Sequence, residues 1–78
     1  MRTVHEINLQ RHFGGGEVYT RFLSNALVEA GWQVELYVHN EAAFWDRLDM
    51  PDVRMVRVAS LEDIAARLPA EKALVMTH

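Results

Sequence analysis

Apolar positions along the chain switch between two spacings, and the switches mark out its elements. Val4 and Ile7 anchor a short segment, Arg2 to Asn8, that reads as a strand, although Glu6 stands where a doubly buried strand calls for an aliphatic residue. Leu9 to Phe13 leads into Gly14-Gly15-Gly16, a run that no regular element tolerates well. From Glu17 the period becomes helical. Val18, Phe22, Leu23, Ala26, Leu27 and Ala30 recur as an apolar face, and Thr20, Arg21, Ser24, Asn25 and Glu29 fill the other. Gly31 follows at once, placed to end the helix in a left-handed conformation.

Strict alternation then returns. Val34, Leu36 and Val38 fall on one side of a strand from Gln33 to Val38, with Glu35 and Tyr37 on the other. Between His39 and Asp49 the pattern is ambiguous; a short helix from Glu41 to Leu48 fits it, and Pro51 closes the segment. Val53 to Val58 is a Val-rich strand. Ser60, with Asp63 three residues on, predicts the start of a helix carrying Leu61, Ile64, Ala65 and Leu68, and Pro69 stops it. Ala73 to His78 reads as a last strand.

Strands alternating with helices imply parallel strands joined by crossovers. The expected fold is therefore α/β: a Rossmann-like open parallel sheet of about four strands in the order 3-2-1-4, with helices on both faces. No repeat or flexible linker divides the chain, so residues 1–78 read as a single domain.

Composition narrows the field. Half of the 78 residues are apolar and 24% are charged, which excludes disordered, collagenous and low-complexity classes. A net charge of −3 gives no electrostatic footprint for nucleic acid. The chain has no cysteine, hence no disulfide scaffold, thiolate nucleophile or Cys-ligated zinc. The charged start, Met1 to Glu6, lacks the apolar core of a signal peptide, and no apolar run approaches the ~20 residues of a membrane span. The cytoplasm is the expected compartment.

In an open α/β sheet, ligands bind beyond the carboxyl ends of the strands, where the strand order reverses. Here that point lies between strands 1 and 4, where Gly14-Gly15-Gly16 and Thr77-His78 converge. Glycines let backbone approach a ligand, and the unpaired N–H groups of the following helix favour an anion such as a phosphate. The same glycines also suit a simple turn from strand to helix. The run is no P-loop, for Gly-Lys-Ser/Thr is absent. It is not a dinucleotide fingerprint either: five residues, Leu9 to Phe13, separate it from the strand, and strand 2 ends in His39-Asn40 rather than in a ribose-binding acid.

Single residues carry two readings each. Glu17 is either a ligand contact or a carboxylate on the positive end of the helix, four residues before Arg21. Arg11 and His12 are candidate phosphate or acceptor contacts, or solvated loop residues. A carboxylate inside a central strand is costly unless paired; Glu6 thus either touches substrate at the crevice mouth or pairs with His5, His39 or an arginine. His78 is a candidate acceptor-site residue or a frayed end. Phe44-Trp45 either meets an acceptor or packs on the domain's own core.

His5-Glu6-Ile7-Asn8-Leu9, then Phe13-Gly14-Gly15-Gly16-Glu17, a helix through Leu23, Leu27 and Ala30-Gly31, and finally Ala73 to His78 together resemble the start of a family 4 glycosyltransferase. The resemblance implies the GT-B architecture, of which these residues form part of the N-terminal, acceptor-side domain, while a further C-terminal domain grips the donor. It implies transfer of a sugar from a nucleotide-diphosphate donor to a glycan or lipid-linked acceptor, with Gly14, Gly15, Gly16 and Glu17 at the diphosphate. It also implies that this domain alone is inactive, that no metal or separate cofactor is needed, and that the full-length enzyme associates peripherally with the inner face of the membrane. Two other readings stay open: a dinucleotide-dependent reductase fragment, and a non-catalytic α/β phosphate- or nucleotide-binding module.

Overall fold

A computed structural model describes residues 2–12, 14, 16–67 and, as backbone, 74–77. Strands β1 (Thr3–Asn8), β2 (Gln33–His39) and β3 (Arg54–Val58) form an open parallel sheet with two helices, α1 (Gly16–Glu29) and α2 (Leu61–Arg67). This is an α/β fold, consistent with a Rossmann-like arrangement. A further strand segment, β4 (Leu74–Thr77), runs parallel to β1 on the side away from β2, giving the order β3-β2-β1-β4. Phe13, Gly15, Leu68, Pro69 and His78, all used in the sequence reading above, lie outside the described residues.

Side chains of successive strand residues point to opposite faces, so each strand contributes to two cores. On one face Val4, Val34, Leu36 and Val38 pack with Ala42, Trp45, Met50 and Val53, and with Leu27 and Val28 of α1. On the other, Ile7, Tyr37 and Val58 pack against Ile64 of α2. The two helices therefore cover opposite faces.

Several sequence expectations change in detail. The segment after β2 is a 3₁₀ turn, Ala43–Arg47, shorter than the helix expected from Glu41 to Leu48. It buries Trp45 in the first core, with the Phe44 ring 5.1 Å away centre to centre, so this aromatic pair packs on the domain itself. At α2, the Asp63 carboxylate reaches back past Ser60 and accepts the N–H of Ala59 at 3.0 Å, which ties the first turn to the chain just before it. Gly31 ends α1 with φ of 96°, a left-handed conformation that an L side chain strains to adopt.

The largest correction concerns α1. Its sequence sets Val18, Phe22 and Ala26 on an apolar face, yet Val18 is 47% and Phe22 74% exposed, while Glu17, Thr20 and Ser24 are fully buried. The reason lies in β1. Val4, Glu6 and Asn8 share the face beneath α1, so the strand offers the helix a polar column rather than an aliphatic one. The helix turns its hydroxyls toward it. Ser24 donates to Glu6 Oε2, and Asn8 Nδ2 donates to Thr20 Oγ1 at 3.1 Å. Buried polar groups need such partners, since an unpaired one costs about 1–3 kcal/mol.

Candidate functional site

The site is built at the carboxyl end of β1, the strand flanked by β2 and β4. Both ends of the glycine loop are pinned to that strand by one relay of hydrogen bonds. The Gln10 N–H donates to Asn8 Oδ1 at 3.2 Å, which holds the chain as it leaves β1. Asn8 Nδ2 then donates to Thr20, and the Thr20 hydroxyl donates to the Gly16 carbonyl at 2.9 Å, which holds the first turn of α1. A single side chain thus positions entry and exit of the loop. Asn8 and Thr20 were not among the candidates from the sequence; the only signal was an Asn closing the strand and a Thr one turn into the helix.

Glu17 acts on the same loop from inside. It is fully buried, and its Oε2 accepts the Gly14 N–H at 2.7 Å. That bond ties the loop to the first turn of α1, at the end of a helix where acidic side chains are commonly placed. Its Oε1 has no hydrogen-bond partner among the described residues. The expected ion pair with Arg21 does not form: Arg21 Nε donates to the Asp49 carbonyl at 3.4 Å, beside Asn25, which donates to the same oxygen. The cap draws Glu17 inward, while Arg21 lies toward the connection between β2 and β3.

Gly14 and Gly16 are exposed and carry no left-handed backbone. A Cβ built on Gly14 would lie 3.7 Å from Glu17 Oε2, and one on Gly16 would lie 3.5 Å from Gln10 Oε1. Both are ordinary contacts. Among the described residues, packing therefore gives no reason for glycine at either position, and what remains is the backbone they present to solvent. Arg11 and His12 are exposed in the bend just before them.

No family model, curated protein or solved structure matches the chain.

The remaining candidates separate. Glu6 lies beneath α1 with no exposed surface, its carboxylate bonded by Ser24. His5 is on the opposite face, where its Nδ1 stands 3.2 Å from Glu35 Oε1. His39 Nδ1 accepts the Glu41 N–H at 3.1 Å, which folds the chain back at the end of β2. Gly15 and His78, which the sequence sets at the loop centre and at the end of the last strand, lie outside the described residues. Among the described residues no three His, Asp or Glu side chains gather as metal ligands, and no helix is long and apolar enough to cross a membrane.

Proposed function

We propose that the chain is the acceptor-side, Rossmann-like domain of a GT-B glycosyltransferase of the family 4 type. The full enzyme transfers a sugar from a nucleotide-diphosphate donor to a glycan or lipid-linked acceptor, and a second domain supplies the donor grip. The observation that carries this reading is the pair Gly14 and Gly16. Neither residue is required by backbone conformation or by packing among the described residues; Gly16 opens α1, and Gly14 lies in the loop that joins β1 to it. Bare backbone there suits a phosphate-bearing ligand held by N–H groups, at the place where open α/β sheets bind ligands.

The roles divide accordingly. Glu17 serves the helix rather than the ligand, since its buried carboxylate caps Gly14. Backbone N–H groups of the loop stabilise the departing diphosphate, with Arg11 and His12 near enough in sequence to add positive charge or to meet an acceptor hydroxyl. Asn8 and Thr20 fix the loop in advance, so that little ordering remains to be done on binding.

Calorimetric titration with UDP, GDP and NAD tests the assignment. Binding of a nucleoside diphosphate in preference to NAD supports it. Preference for NAD favours the reductase reading, and absence of binding to all three overturns nucleotide recognition by this domain. With nucleotide-sugars and saccharide acceptors the domain alone transfers no sugar; measurable turnover would contradict the division of labour.

A further inference from the structure

A second cluster of ionisable side chains lies on the α2 face, toward the amino ends of the strands and away from the glycine loop. Sheet register sets His5 of β1 beside Glu35 of β2, and Glu35 beside Arg54 of β3. Tyr37, two residues along the same face, donates its hydroxyl to Glu35 Oε1 at 3.2 Å, and His5 Nδ1 stands 3.2 Å from the same oxygen. Glu35, Tyr37, Arg54, Val56 and Arg67, the last residue of α2, line a cavity of about 290 Å³.

Donors and acceptors do not balance around this cavity. Glu35 Oε1 is already shared by Tyr37 and His5. Its Oε2 lies 3.5 Å from Arg54 Nη1, longer than the about 2.7–2.9 Å of a charge-assisted bond. Arg54 is held loosely, with 77% of its side chain exposed. Arg67 takes part in no ion pair among the described residues. Each guanidinium brings five N–H donors and no acceptor. Two such groups therefore line the cavity with a single carboxylate, and the net charge of Arg54, Arg67 and Glu35 is positive. Val56 and the Tyr37 ring add an apolar wall. An oxyanion with a small organic body is the ligand class that meets this surplus, because planar guanidinium forks match carboxylate and phosphate oxygens.

We propose that the groove between Tyr37, Arg54 and Arg67 binds the oxyanion head of a small molecule, a phosphate ester or a carboxylate, at a site separate from the glycine loop. Burial and the Glu35 charge hold the Tyr37 phenol above its ordinary range, and its one proton is given to Glu35 Oε1, which leaves the ligand's oxygens to the two guanidinium groups.

The test is titration of the chain with inorganic phosphate and, separately, with acetate, following the amide signals of Arg54, Val56 and Arg67. In the unsubstituted chain at least one anion moves these three signals saturably. A double variant, Arg54→Gln with Arg67→Gln, weakens that binding by at least about tenfold, since two fork-shaped contacts are lost. Both arginines are exposed, so the fold is not at risk. A response to phosphate alone assigns a phosphate ester head, and a comparable response to acetate assigns a carboxylate head. Signals that stay still with both anions, or binding unchanged in the double variant, overturn the proposal. Loss of nucleotide binding at Gly14–Glu17 would leave it standing.

Discussion

Replacing Gly16 with Ala separates two explanations of the glycine loop. If the fold needs glycine there, the substitution destabilises. If the glycine serves an approaching ligand, the fold gains. The backbone at Gly16 is the first turn of α1 and not left-handed, so an alanine adopts it without strain. The atoms nearest its Cβ would be the end of the Gln10 side chain, between 3.5 and 3.9 Å away, and Gln10 is exposed and can yield. Where native geometry is compatible, Gly→Ala stabilises by about 0.4–1 kcal/mol through the unfolded chain. At the helix end we take the lower half, about 0.5 kcal/mol, or about 2–4 °C in Tm for a domain of this size. Gly31→Ala is the control. With φ of 96° its replacement should cost about 1–2 kcal/mol even though nothing lies within 4 Å of the new methyl group. Thermal and urea unfolding of both variants measures the contrast. A Gly16→Ala variant destabilised as much as Gly31→Ala would refute the reasoning and return the loop to a purely structural role.

Two further outcomes follow from the buried polar seam and from Tyr37. Ser24→Ala removes a donor to the buried Glu6 carboxylate and should cost about 1.5–3 kcal/mol, a large part of the about 4–12 kcal/mol expected for a domain this long. A double-mutant cycle with Glu6→Gln should show a coupling of about 1 kcal/mol or more, whereas additive effects would mean the two residues act independently. Tyr37 holds its proton more tightly folded than unfolded, because burial and then Glu35 raise its pKa above 10.0. Its contribution is thus complete below about pH 10 and is lost as pH climbs from there through the folded value. Urea midpoints between pH 8 and 11 should fall more steeply for the unsubstituted chain than for Tyr37→Phe; parallel curves would contradict the assignment.

The α/β class and the two-faced packing of the strands were legible because alternation is a local signal. Val34, Leu36 and Val38 show their common face in the sequence itself, and the structure buries all three together. The orientation of α1 was not legible in this way. Its exposed Val18 and Phe22 and its buried Thr20 and Ser24 reverse the usual pattern, and only the partner across the interface explains why. Glu6 signalled that interface as an anomaly in β1, but which side chain would answer it depended on register between elements 18 residues apart. The site was legible in part. Gly14 and Gly16 stand out by composition, whereas the relay from Gln10 through Asn8 and Thr20 to Gly16 uses common polar residues at unremarkable spacing. Glu17 was recognisable as a helix-end carboxylate, but its burial and its bond to Gly14 depend on how the loop folds back.

The central claim is that the loop after β1, rather than any other part of the domain, receives the nucleotide. Amide shifts of the isotopically labelled chain during titration with UDP measure this directly. The account predicts saturable movement centred on Gly14, Gly16 and Glu17, abolished or strongly reduced in Gly16→Ala. Movement confined to the Tyr37, Arg54 and Arg67 groove, or equal binding by the Gly16→Ala variant, would contradict it.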